Sequence, residues 1–566
     1  MPDHTSAVET ATSPAVPPHR VDGTDLETEP ASTPDEATDT AGAVEAADGD
    51  GTVSALNGLP ESGGSDDASD RSGAATGWAG RAVSAVRGHL ARRYEAWVLG
   101  AALTAVYLVD SIAKYERIGS QLYDLGYFTA VIRQYSLFQV PHVYNVGLNV
   151  LGDHFSPVIA LVGPVFRVFP SPVTLLVCQA LLVGASAVAL TMTAADWIGR
   201  TAGAAVGLAY GLSFGVIGAI DFDFHEVAFA PLFTVMAVRM LDQRRFWAAA
   251  AWAACLITVK EEMGAAVVAP IGVAMFCYGA RRLGAGLAVF GAGATLALVK
   301  WVMPALNTPR HIYAYGWESP LTAGGDPVTA TLHDLSAGVS AKILLLFLLV
   351  MTSGLVALRS PLVLLAVPDM LTRFSSINPN FYSTLYQYNL VVMPLLFLAT
   401  ADGVRRLRGS TMPVGRLLHQ GGAFAALTAT LALVPYFGLG AFRTWNDPES
   451  MDARIAGLNA AYAAVPHGVT VEASSRLSPG LAAHDSIYWP GGPNTSTAPP
   501  WIAYDQQDGT TSTPDTSAGA LARAAQEHPG AAYEVVFGED GFYVLRQIPG
   551  HTVPGHSASK HTAAKP

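Results

Sequence analysis

The sequence predicts an all-α polytopic membrane bundle of about eleven transmembrane helices, with a small C-terminal extracytoplasmic α/β domain and a disordered N-terminal tail. Three observations predict it. Apolar segments approaching the ~20 residues that a helix needs to cross ~30 Å of hydrocarbon recur from residue 96 to residue 442. Only 14% of the residues are charged and 51% are hydrophobic, where an ordinary soluble domain carries about 25% charged residues. The Lys and Arg of the connections also sort to one side of the membrane.

The tail comes first. Residues 1–80 are rich in Ala, Thr, Ser, Gly, Pro, Asp and Glu, and their only Lys or Arg are Arg20 and Arg71. Such a stretch cannot bury enough apolar surface to offset its ordering entropy, so it reads as a disordered acidic cytoplasmic tail. It also supplies much of the net charge of −12, which therefore says little about a partner for the folded part. No basic segment leads straight into a short apolar core, so the first apolar run is expected to act as an uncleaved anchor. Cys178, Cys255 and Cys277 fall inside apolar runs at no metal spacing, which supports neither a disulfide framework nor a zinc ribbon. No basic face or motif points to nucleic acid.

The transmembrane domain is placed at 94–443, with spans near 96–112, 172–195, 202–220, 227–241, 246–260, 263–279, 284–303, 341–358, 361–372, 387–402 and 421–442. Arg81, Arg87, Arg92 and Arg93 precede the first span and put its start in the cytoplasm. By alternation, Arg200, then Arg244 and Arg245, Arg281 and Arg282, Arg359, and finally Arg405, Arg406, Arg408 and Arg416 also fall inside. That agreement requires 156–169 (SPVIALVGPVFRVF) to be re-entrant or interfacial. The chain is thus expected to be a multi-pass protein of the plasma (inner) membrane, with its N-terminus cytoplasmic.

Residues 444–548 read as the extracytoplasmic α/β domain and 549–566 as a flexible tail. GVTVEASS and PPWIAYD look like strands, LARAAQEH like a helix, and YEVVFGEDGFYVLRQI like a hairpin around a Gly-containing turn.

The same alternation gathers a different set of residues outside: Asp124 in YDLG, Asp153 and His154 in LGDHFSP, Asp221, Asp223, His225 and Glu226 in DFDFHE, and Lys260, Glu261 and Glu262 in VKEE. NPNFYSTLYQYN, with Tyr388, joins them. Ionisable groups at the ends of apolar runs usually face a cavity and pair with something. Convergence in one cleft would give carboxylates and imidazoles able to hold a divalent metal, with Asp153, His154, Asp221 and Asp223 as ligands and Mg²⁺ or Mn²⁺ as the ion. Lys260 could neutralise a phosphate, and a carboxylate could act as general base toward a hydroxyl. Glu261, His225 and Tyr388 complete the expected substrate contacts. Plainer readings stand beside these. Asp124 could cap a helix, Asp153 and His154 could make loop hydrogen bonds, Lys260 and Glu261 could be an interfacial ion pair, and the tyrosines could belong to the aromatic belt.

Taken together, YDLG, LGDHFSP, FDFHE and VKEE resemble a bacterial family of predicted membrane proteins of unknown function, over roughly residues 95–545 and in the same order. That family in turn is similar to the GT-C class of membrane glycosyltransferases, which take sugars from polyprenyl-phosphate carriers. The resemblance implies a GT-C-like bundle, makes Asp124 the candidate catalytic base or metal ligand, and puts Lys260 near the carrier phosphate. Tyr123 stands before Asp124 where many relatives have a second carboxylate. Three functions follow: a glycosyltransferase moving a sugar from a polyprenyl-phosphate donor to an envelope glycan or lipid acceptor, a transporter or flippase of a lipid-linked sugar or anion, or a non-catalytic envelope-assembly protein.

Overall fold

A computed structural model describes residues 93–119, 122–143, 148–307, 334–376, 378–437, 448–490, 498–508 and 514–550. The expected N-terminal tail, the loop at 308–333 and most of the C-terminal tail lie outside the described residues.

Helix α1 runs Tyr94–Glu116 and α2 Leu122–Ser136. A two-residue ribbon follows, β1 (His142–Val143) against β2 (Leu148–Asn149). Then come α3 (Pro172–Ile198), α4 (Arg200–Gly211), α5 (Phe214–Asp221), α6 (Ala230–Asp242), α7 (Phe246–Cys255), α8 (Ala269–Cys277), α9 (Arg281–Ala297), α10 (Val339–Ser353), α11 (Val367–Phe374), α12 (Met393–Arg406) and α13 (Pro413–Leu433).

Among the described residues, three helices are long and apolar enough to cross a membrane: Tyr94–Glu116, Pro172–Ile198 and the continuous Arg281–Leu306. A fourth crossing results if α4 and α5, bent by 41°, are one broken span. Among the described residues, length and composition therefore support three or four crossings and do not confirm the expected eleven or so. The difference has a physical cause. Several apolar runs read as single spans form helices too short to cross. The run at 246–260 forms Phe246–Thr258, that at 263–279 forms Gly264–Cys277, π-helical at its start, and that at 341–358 forms Val339–Ser353, each under 18 residues. The apolar segment Pro157–Val168 is also too short to cross.

Small residues allow close helix packing in the bundle. A Cβ on Gly184 of α3 would lie 1.9 Å from Thr104 Oγ1 of α1, so only glycine lets the two helices approach this closely.

The C-terminal part is a five-stranded sheet in the order β4-β3-β5-β7-β6, with β3 Thr470–Ala473, β4 Ser486–Tyr488, β5 Trp501–Asp505, β6 Tyr533–Glu539 and β7 Phe542–Gln547. The β3 strand is parallel to β4 and β5, and β7 is antiparallel to β5 and β6. The β6–β7 hairpin lies where the sequence places it. Asp540 and Gly541 turn it at φ 52° and 80°, the left-handed pair that a tight hairpin with matching twist requires. Helices α14 (Pro448–Ala464), α15 (Ser478–Ala482) and α16 (Ser517–Glu527) cover the sheet. Trp501 belongs to the sheet's core, which also takes in Ile118 from the end of α1. On α2, a Cβ at Gly126 would fall 2.1 Å from Ser478 Oγ, so α15 is seated directly on this glycine. The domain is therefore docked at the Lys114 end of α1.

Candidate active site

Four sequence motifs meet at that end of the bundle, and the contacts can be followed round. Asp124 stands in the first turn of α2, where a carboxylate complements the helix dipole. Its Oδ2 lies 3.4 Å from His225 Nε2, and its side chain remains 31% exposed. His225 is buried, and three contacts fix it. Its backbone N–H donates to Gln179 Oε1 at 3.0 Å, its ring stacks on Phe222 at 4.8 Å, and Phe128 meets it edge-on at 5.3 Å. Gln179 also donates to the Ala219 carbonyl at 3.0 Å, so one buried amide of α3 holds both sides of the DFDFHE turn.

The next residue, Glu226, approaches Lys260 at 3.7 Å, and Glu262 lies at the same distance from it. Glu261 points elsewhere. Its Oε1 is 3.0 Å from His154 Nδ1 and its Oε2 accepts the Phe155 N–H at 3.0 Å, so VKEE and LGDHFSP are clamped by one buried carboxylate. Burial works against a charged His154 ring, but Glu261 outweighs it and holds the imidazole up at about 9. Neighbouring Asp153 accepts from the Tyr127 hydroxyl at 3.0 Å, which returns to α2 one turn beyond Asp124. YDLG, FDFHE, VKEE and LGDHFSP thus close a ring of contacts.

Asp221 and Asp223 lie on a separate arm. Lys114, buried at the last turn of α1, is 3.0 Å from Asp223 Oδ1 and 3.7 Å from Asp221 Oδ1, and also donates to the Asp221 carbonyl. Asp223 holds φ at 66°, a left-handed conformation that Asp tolerates better than most residues. This turn lets the chain leave α5 and present His225 to Asp124. The four residues expected as metal ligands are therefore divided: Asp221 and Asp223 meet Lys114, Asp153 meets Tyr127, and His154 meets Glu261. Among the described residues, the three-residue cluster with metal-ligand spacing is elsewhere, in the C-terminal domain.

Tyr388 lies near both Lys260 and Arg373, and packs edge-on against Phe381 at 4.8 Å. Its neighbour Tyr386 meets Phe222 at 4.7 Å, so NPNFYSTLYQYN backs the stacked pair Phe222–His225. Sequence reasoning missed Lys114, Gln179, Asp369 and Arg373. Arg373 sits 3.6 Å from Asp369 and donates to Asn389 Oδ1 at 2.7 Å. The available signal was polarity out of place: a lysine just past the first apolar run, a glutamine inside the second, and an Asp and Arg four apart at the end of 361–372. A cavity of about 340 Å³ opens nearby, between Tyr115, Pro170–Pro172 and the C-terminal domain at Tyr462, His467 and His484. None of the ring's side chains lines it, so ring and cavity are separate features.

The family model for "Predicted membrane protein (DUF2079)" matches residues 114–544, which is 544 − 114 + 1 = 431 of the 566 residues. The chain belongs to the DUF2079 family. The match takes in all four motifs of the ring and most of the sheet domain. No curated protein matches this DUF2079 chain. Among solved structures it has a loose likeness to ArnT from Cupriavidus metallidurans bound to undecaprenyl phosphate. The two share 15% identity at a TM-score of 0.47, over 81% of this chain and 99% of that one.

Proposed function

We propose that the protein is a membrane glycosyltransferase of GT-C type. It would move a sugar from a polyprenyl-phosphate carrier to an envelope glycan or lipid at the extracytoplasmic face, with Asp124 as the catalytic base. The observation that carries this reading is the Asp124–His225 contact. A partly exposed carboxylate faces a buried imidazole whose orientation is fixed from three sides. An acceptor hydroxyl can reach Asp124 from the open side, and His225 behind it can share the proton that Asp124 takes up. Acid–base pairs of this kind contribute ~10²–10⁴-fold to a transfer rate.

The charge balance constrains the donor. The arrangement combines eight acids (Asp124, Asp153, Asp221, Asp223, Glu226, Glu261, Glu262 and Asp369) with three fixed cations (Lys114, Lys260 and Arg373) and the His154 ring, held charged by Glu261. On this reading Lys260 meets the donor phosphate, and Glu226 and Glu262 compete with that phosphate for it. A donor that arrives with Mg²⁺ or Mn²⁺ would offset those carboxylates. On this reading the Arg-rich connections are cytoplasmic, and the sheet domain docked beside the ring is extracytoplasmic.

The test supplies radiolabelled polyprenyl-phosphate sugars to the purified protein and compares wild type with Asp124→Asn. The reading expects transfer by wild type and a loss of ~10²-fold or more in the variant. Undiminished transfer in the variant removes Asp124 from the mechanism. No transfer from any donor leaves the transporter or assembly reading in place.

A further inference from the structure

A second polar cluster sits in the C-terminal domain, and the proposed transfer does not use it. Glu472 is in the middle of β3, Glu527 is the last residue of α16, and His528 caps that helix. One ligand-capable atom from each lies within 4.8 Å of the other two. Glu472 Oε2 and His528 Nε2 are 3.0 Å apart, and the two residues are 1% and 3% exposed.

Three features separate this from an ordinary buried ion pair. Glu472 Oε1 and His528 Nδ1 are both buried with no hydrogen-bond partner, so half of each group is unsatisfied and no second bond fixes which way the ring faces. The Glu527 carboxylate is aimed from behind: Tyr504 donates to its Oε2 at 2.6 Å and Arg523 to its Oε1 at 2.9 Å. A carboxylate has about four lone-pair sites, so two donors leave room for a third partner. Two carboxylates also share one small space with a single imidazole.

We propose that Glu472, Glu527 and His528 bind one divalent transition-metal ion, with Zn²⁺ the best fit. One imidazole and two carboxylates form a nitrogen–oxygen set that Zn²⁺ takes in tetrahedral geometry at ~2.0–2.2 Å, with the fourth position open to water. Such bond lengths separate neighbouring ligand atoms by roughly 3.3–3.5 Å. The Glu472–His528 pair, at 3.0 Å, is already near that spacing, and the Glu527 ligand atom lies within 4.8 Å of both. With Glu472 bound through Oε2 alone, a water in the fourth position can donate to Oε1 and give it the partner it lacks. The ion would tie the middle of β3 to the end of α16 and so brace the domain that docks on α2.

The full-length protein in detergent is stripped with EDTA, equilibrated with Zn²⁺ alone, desalted, and its metal content measured by mass spectrometry. Wild type is expected to keep one equivalent more than the Glu472→Gln/Glu527→Gln variant, and Asp124→Asn to match wild type. Co²⁺ substituted into wild type covers the case in which the double variant does not fold. The site predicts a tetrahedral visible absorption band that Zn²⁺ displaces. Equal zinc in wild type and a folded variant, or no retained zinc and no such band in wild type, overturns the proposal.

Discussion

The two ends of α1 carry opposite kinds of charge chemistry. They are about 31 Å apart, taking ~1.5 Å for each of the 21 steps from Arg93 to Lys114, which is roughly the thickness of a hydrocarbon core. At the first end Arg93 meets Asp196, Arg200 reaches Glu95 at 2.7 Å, and Arg239 reaches Asp196 at 2.9 Å. Arg405 bridges Asp242 and Asp402 while lying over the Trp197 ring. These arginines are partly exposed, and their partners cap and cross-link helix ends. At the second end the cations themselves are buried: the Lys114, Lys260 and Arg373 side chains are 3%, 11% and 7% exposed. An ion pair in contact with water is cheap to form and worth little. A buried one is costly to assemble and is kept where geometry matters. Charge therefore marks both ends, and burial of the cation distinguishes the second.

The sharpest way to break this comparison is Lys114→Met. It takes the cation away from buried Asp223, and the loss of one partner of a buried pair costs ~3–5 kcal/mol. Thermal unfolding in detergent should show it, with part of the loss recovered by adding Asp223→Asn. A smaller effect is expected from Gly126→Ala, which drives a Cβ into Ser478 Oγ at 2.1 Å and should cost ~1–3 kcal/mol. Faster limited proteolysis of the sheet domain would report it, and Ser478→Gly in the same chain should reverse it.

A third test uses pH. The His154 ring ordinarily titrates near 6.5 and is held up at about 9 by Glu261, so its folded value is the higher one. Its contribution to stability is complete below about pH 6.5 and fades as pH rises through 9. The melting temperature should fall across that window in wild type, and fall less in His154→Gln. Smallest of all is Arg200→Ala at the other end. It should leave the melting temperature unchanged within error, since Arg200 is half exposed.

The sequence was most legible where a residue type was out of place in a regular pattern. DFDFHE and VKEE interrupt apolar runs, and both lie in the ring. The hairpin at 533–547 followed from alternation around Asp540–Gly541. The number of crossings was less legible, because hydropathy measures how apolar a run is and not whether one helix passes through it. Runs that read as full spans, such as 246–260 and 263–279, hold helices too short to cross, Phe246–Thr258 and Gly264–Cys277. Pairing was not legible at all: Lys114 and Asp223, 109 residues apart by subtraction, are joined only by the fold. The same holds for Glu472 and His528, which sit on separate elements of the sheet domain.

The account rests on Asp124 and His225 acting as one unit. The most direct test measures sugar transfer from the polyprenyl-phosphate donor by Asp124→Asn, His225→Gln and the double variant. If the pair is the catalytic unit, each single variant loses ~10²-fold or more, and the double is no slower than the slower single. Losses that multiply, or a His225→Gln variant as fast as wild type, would contradict it.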